Sequence, residues 1–250
     1  MNPFFTSPNA ITSIDNNGLY NQIGKDNVPI LIGHGDSEIS MWFLDEFSDN
    51  LASTEPRHIF YHSVRAGKQN IPASPTGQFY GYKGWEFIRA CNIGLENYYK
   101  ASLPEAIIHK YAAEARLFRG LFYADKVSKF GDVPWIEREL NVDSEELYQE
   151  RMSRENAMKN ILADLSFACA HLPADWGDGN APGRLNRWAA LLLKSRVCLF
   201  EGTWRKYHRL PNPEKWLQEA VAAAHELITE GPYFIYKGET PQNSYTKLPF

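Results

Sequence analysis

His34, Asp36 and Glu38 stand two residues apart in "GHGDSE". On a β-strand that spacing turns all three side chains to one face, where an imidazole and two carboxylates can hold a metal ion. A polar surface turn accounts for the same residues, and no metal site is assigned. "GHG" is too short for a phosphate-binding loop and lacks the strand, Gly-rich turn and helix such a loop needs. No Gly-x-Ser-x-Gly or His-Glu-x-x-His sequence occurs. Cys91, Cys169 and Cys198 form no Cys-x-x-Cys pair, so neither a zinc ribbon nor a redox motif is expected. They fall in helical patterns and are expected to be small core residues. Glu114, Arg116 and Arg119 resemble acid–base machinery only superficially. Arginine holds its proton too firmly to shuttle it, and no second carboxylate is placed opposite. They are expected to form salt bridges between packed helices. No catalytic residue and no cofactor are assigned.

The segment 49–83 supports a different chemistry. Tyr61, Tyr80 and Tyr82 are interleaved there with Asp49, Arg57 and Arg65. A sugar ring has an apolar C–H face and a rim of hydroxyls. Binding it takes an aromatic platform with fixed donors and acceptors around the edge. The three tyrosines are candidate platforms, and Asp49, Arg57 and Arg65 are candidate hydroxyl partners. The competing use of such aromatics is to pin a long loop onto the helices behind it. A second loop, "ADWGDGN" (174–180), carries Trp176 as a lesser candidate.

Helices must position these loops. Residues 1–80 are punctuated by Gly, Pro, Asn and Ser, with one candidate short helix at 37–50. From Tyr82 onward the spacing is helical. Trp85, Ile88, Asn92, Leu95 and Tyr99 define one stripe, and Ile108, Tyr111, Ala115, Phe118 and Phe122 a second. Ser102 and Glu105 predict a capping box before the second helix, and Gly131 and Pro134 its end. Ser153 caps a third helix carrying Met158, Ile161, Leu165, Ala168 and Leu172. A fourth follows Asn186, apolar on most of its circumference and expected to be central. Asn212-Pro213 opens a fifth, with Trp216, Ala220, Ala224 and Leu227 inward. "YFIY" (233–236) is a candidate edge strand. The predicted fold is all-α: tetratricopeptide-like stacked helical hairpins with long loops. Residues 1–83 form an irregular N-terminal segment holding the binding loop, and 84–250 a helical-repeat core. The fifth helix lacks a partner surface, so the core is expected to be incomplete at its C-terminal edge.

The 250 residues are 44% hydrophobic and carry a formal net charge of −4. That leaves no basic excess for a phosphate backbone, so no nucleic-acid partner is expected. No run of about 18 apolar residues spans a membrane, and the first residues show no basic and apolar leader.

Three blocks resemble the SusD/RagB family. "YAAEARLFRGLFYADKVSKFGDVPW" (111–135) is similar to its hallmark helix, AEAR-x-x-R, an aromatic run, then an aromatic-Gly-Asp-x-Pro ending. "GWEFIRACNIGLENY" (84–98) is similar to its aromatic helix with an Ile-x-x-x-Asn element, and "GRLNRWAALLLKSRVCLFEGTW" (183–204) to its Gly-Arg and Ala-rich helix. "FSDN" (47–50) resembles a weaker element preceding the binding loop. The resemblance implies a non-enzymatic surface lipoprotein at the external face of the outer membrane. Such a protein binds an oligosaccharide and delivers it to a SusC-like TonB-dependent transporter. Members are longer and begin with an acylated cysteine, so the chain resembles the N-terminal portion. Membrane contact would come only through a lipid anchor not present in it. Two other readings of the residues are a helical glycoside hydrolase and a cytoplasmic peptide-binding scaffold. The hydrolase needs two carboxylates about 5–9.5 Å apart, with acidic residues at 45–49 or 175–178 as its candidates.

Overall fold

The 3-4 spacing of apolar residues produces helices at the places it predicts. The computed structural model describes residues 67, 84–177 and 184–235. Five α-helices occur there: α1 (Trp85–Tyr98), α2 (Glu105–Phe130), α3 (Arg154–His171), α4 (Arg187–Tyr207) and α5 (Pro213–Glu230). A 3-10 turn, Glu145–Tyr148, lies between α2 and α3. Among the described residues there is no strand, only an isolated antiparallel bridge between Val133 and Met152. The protein is all-α, as the sequence predicts. The chain divides into two compact units, residues 1–187 and 188–250.

In the first unit, α1 and α2 form an antiparallel hairpin. Phe87 meets Phe118 edge-on at 6.0 Å, and Tyr98 stacks on Tyr111 at 6.3 Å. Helix α3 runs antiparallel to α2, with Arg119 against Asp164 and His109 against His171. The predicted stripes are the buried ones. Phe118, Phe122, Met158, Ile161, Leu165, Ala168 and Leu172 are all enclosed. Burying a side chain of this kind contributes about 1.5–3 kcal/mol, which is why these stripes fix the pairing. Cys91, Cys169 and Cys198 are buried in the core, as expected.

The α2 end shows how the Gly-Asp-x-Pro sequence acts. Gly131 has φ 74 and ψ −111, a conformation that a Cβ strains. Its N–H closes the helix on Val127 O at 3.0 Å. Asp132 Oδ1 then accepts the Arg154 N–H at 2.7 Å, satisfying an orphan donor at the start of α3. Ser153 caps α3 as predicted, accepting from the Asn156 N–H.

The second unit contains an antiparallel α4–α5 hairpin. Ser195 Oγ donates to Ala220 O at 3.0 Å and Lys194 pairs with Glu219 at 2.8 Å. A Cβ at Gly202 would lie 2.7 Å from Leu217 Cδ2, so this crossing admits only glycine without a shift. Asn212, at φ 59, turns the chain into Pro213, the first residue of α5.

Five local readings are corrected. The α1 stripe buries Tyr98 and leaves Tyr99 half exposed, because Tyr98 is the residue that meets α2. No Ser102 capping box forms: Pro104 occupies the cap, and its carbonyl accepts the Ile107 and Ile108 N–H groups. Ala223 rather than Ala224 is buried on α5. Helix α4 is not enclosed all round, since Leu192, Leu199 and Phe200 are exposed. Val221 and Ile228 of α5 are exposed too. Tyr233, Phe234 and Ile235 form no strand.

Candidate functional site

The candidate sugar contacts, Asp49, Arg57, Tyr61, Arg65, Tyr80 and Tyr82, lie outside the described residues, as do His34, Asp36 and Glu38. The described chain resumes at Gly84, φ 90, whose carbonyl accepts the Phe87 N–H at 3.0 Å and opens α1. Trp85 then packs edge-on against Phe122 at 5.5 Å and Tyr123 at 6.0 Å. The segment 49–83 therefore precedes a helix whose first turn packs on α2.

Three polar assemblies are described. The first is buried and joins α1, α2 and α3. Arg119 donates from Nε to Asp164 Oδ2 at 2.7 Å and from Nη2 to Oδ1 at 2.9 Å. Its Nη1 reaches Asn92 Oδ1 at 3.1 Å. Asn92 Nδ2 in turn donates to the Ile136 and Arg138 carbonyls. Burial disfavours the Arg119 charge, but the hydrogen bond and charge of Asp164 outweigh it and raise its pKa. Tyr123 continues the network: its hydroxyl accepts the Ile136 N–H at 2.8 Å and its ring stacks on Trp135 at 4.1 Å. Lys126 is also buried on α2, and burial draws its pKa below the usual lysine value.

The second assembly surrounds Arg184. Its Nε and Nη2 each bind a Glu114 oxygen at 3.0 Å, both side chains being buried. The guanidinium also lies 3.4 Å from the Trp176 ring centroid. Lys110 Nζ lies 4.3 Å from the same centroid, and the indole N–H donates to Leu185 O at 2.9 Å. Trp176 is thus held by two cations and a carbonyl, and acts as a loop pin rather than a free platform.

Glu114, Arg116 and Arg119 make the salt bridges expected of them, Arg116 through a longer 3.9 Å contact with Asp164. Arg184, Asn92 and Asp164 are not legible as their partners in sequence, because they lie 70, 27 and 45 positions away along the chain. The signal available was the apolar setting itself, since a charge placed on a buried stripe requires a counter-charge.

The third assembly is an open, polar cavity of about 370 Å³ lined by Arg138, Asn141, Asp143, Ser144, Glu145, Glu146 and Gln149. A backbone N–H and then the paired Arg138 hold the Glu146 carboxyl below its usual pKa. Among the described residues no group of three or more His, Cys, Asp or Glu side chains is arranged to hold a metal ion. None of the described helices is long and apolar enough to cross a membrane.

No family model and no curated protein matches the chain. Solved structures do match. A SusD-like carbohydrate-binding protein from Bacteroides fragilis superposes with a TM-score of 0.62 at 20% identity, over 93% of this chain and 42% of its own. A second SusD-like protein from that organism gives 0.58 at 20% identity, over 97% and 42%. A SusD superfamily protein from the same strain gives 0.51 at 18% identity, over 60% and 30%. The class defined is therefore that of helical proteins with the SusD-like fold, the fold the sequence blocks resemble. The chain spans about two fifths of the length of the two structures it covers most fully.

Proposed function

We propose that the chain is part of a surface glycan-binding protein that captures oligosaccharides without turning them over. It hands them to a TonB-dependent, SusC-like barrel at the external face of the outer membrane, where a lipid anchor holds the protein. The observation that carries the reading is the likeness in fold to a SusD-like carbohydrate-binding protein across 93% of the chain. The buried network supports it. Glu114 and Arg119 of the 111–135 block bind Arg184 and Asn92, which belong to the other two blocks. Their charges are used up inside the scaffold, which leaves recognition to the loops. The segment 49–83, with Tyr61, Tyr80 and Tyr82 as platforms and Asp49, Arg57 and Arg65 as polar partners, is the proposed site.

The test uses the natural full-length protein against a panel of soluble polysaccharides, by affinity electrophoresis and calorimetry. Saturable binding with no new reducing ends supports the reading. Release of reducing ends would replace it with the hydrolase. Failure to bind any glycan while binding peptides would replace it with the scaffold.

A further inference from the structure

Trp135 follows the Gly-Asp-x-Pro turn, and it is held differently from Trp176. It is half-buried, and its ring stacks on Tyr123 at 4.1 Å with the planes 29° apart. The cation near its ring, Arg119 at 5.8 Å, comes from the same helix as Tyr123 and is committed to Asp164. Trp176 instead has one cation at 3.4 Å and another at 4.3 Å. The Trp135 indole N–H donates to Glu137 Oε1 at 2.7 Å, which fixes the turn of the ring. Glu137 is exposed, and its second oxygen has no partner among the described residues.

The base beneath Trp135 is fixed. Tyr123 is fully enclosed, and its hydroxyl accepts the Ile136 N–H at 2.8 Å. Asn92 binds the Ile136 and Arg138 carbonyls and is itself held by Arg119. The Val133–Met152 bridge pins the chain two residues before the indole. Trp85, which opens α1 just after the proposed segment 49–83, meets the same Tyr123 ring edge-on at 6.0 Å.

We propose that Trp135 and Glu137 form a further stacking subsite for a neutral sugar ring. The subsite rests on the reading of the chain as a glycan binder. The ring's C–H face lies on the side of the indole turned away from α2, and one of its hydroxyls donates to the open Glu137 oxygen. A hydrogen bond to a carboxylate is stronger than a neutral one, and a platform already fixed by its base loses little freedom on binding. The charge around it selects against acidic sugars. Arg138 and Arg89 are paired with Glu146 and Glu139, which leaves Glu137, Asp143 and Glu145 without a counter-charge among the described residues. A uronate brought to this loop is repelled.

The test is fluorine NMR on the full-length protein carrying fluorotryptophan, with the Trp135 and Trp176 resonances assigned from Trp135→Phe and Trp176→Phe. The probes are soluble oligosaccharides of starch, laminarin, xyloglucan and galactomannan, with oligogalacturonate as the charged comparison. The neutral glycan that binds should shift the Trp135 resonance saturably, at the concentrations that saturate calorimetry, and leave Trp176 in place. Oligogalacturonate should shift neither. Trp135→Leu, with circular dichroism matching the wild type, should weaken binding about fivefold, the loss of one stacking ring. If that variant fails to fold, the resonance shift alone decides. Glycan binding that leaves the Trp135 resonance unmoved, or a folded Trp135→Leu that binds as tightly as wild type, overturns the subsite while the glycan-binding reading stands. A Trp135 shift with oligogalacturonate overturns the assignment to neutral sugars. Binding of no glycan at all overturns the subsite and that reading together.

Discussion

Arg119 and Asp164 face each other side-on across the α2–α3 interface, with two parallel hydrogen bonds of 2.7 and 2.9 Å and both side chains buried. Removing one partner leaves the other charged in an apolar setting. Asp164→Ala or Arg119→Ala should each destabilise the fold by about 3–5 kcal/mol. The double replacement Arg119→Met with Asp164→Leu should cost less than the sum, because neither charge then stays unpaired. Urea denaturation of the four proteins checks this, and additive losses would show that the pair is not coupled.

Cysteine chemistry should be silent in the native state. Burial pushes the Cys91 thiol up to about 12, with the Arg119 charge opposing. The thiolate is the nucleophile, so at about pH 8 Cys91 is protonated as well as enclosed. Native protein should react with Ellman's reagent at none of its three buried cysteines, whereas denatured protein should release three equivalents. Rapid native labelling of Cys91 would contradict its placement.

The helices were legible in the sequence because an apolar residue every three or four positions is a local property. Phe118, Ile161 and Leu165 could be assigned to the core from their own neighbours. The phase error at Tyr98 and Tyr99 arose because both are aromatic and adjacent, and only the position of Tyr111 decides which turns inward. Glu201 and Arg205 of α4 show the opposite limit. They are buried as an i, i+4 pair at 2.8 Å, a spacing that in sequence marks a solvated helix face. Arg205 also reaches Pro211 O and lies over the Trp216 ring, contacts created only when α5 folds back. The candidate sugar site rests on composition and order in the chain, which name residue types suited to sugars without fixing their arrangement.

Trp176 separates a structural aromatic from a ligand platform. It is held by Arg184, Lys110 and the Leu185 carbonyl. Trp176→Ala should lower stability by about 1–3 kcal/mol through lost packing and cation–π contact, and leave glycan affinity within about twofold of wild type, a change near 0.4 kcal/mol. Thermal denaturation and calorimetry on the full-length protein measure the two effects separately. An affinity loss larger than the stability change explains would move the binding site to this loop.

Tyr80 and Tyr82 should behave in the reverse way. They stand four and two positions before Gly84, where the described chain enters α1. Trp85, one residue further, is fixed against Phe122 and Tyr123. A platform next to a locked helix start loses little conformational freedom when a sugar binds, and preorganisation of this kind raises affinity. One lost stacking ring should cost on the order of 1 kcal/mol, appreciable beside the roughly −4 kcal/mol of a millimolar ligand. Tyr80→Ala and Tyr82→Ala should each weaken glycan binding about fivefold, a change of roughly 1 kcal/mol, with the helical circular dichroism unchanged. Phe118→Ala is the control of opposite sign. Phe118 is fully enclosed and edge-on to Phe87, so its truncation should cost about 3–5 kcal/mol of stability without selectively lowering affinity. If full-length protein with both tyrosines replaced binds its glycan as tightly as wild type, the site lies elsewhere.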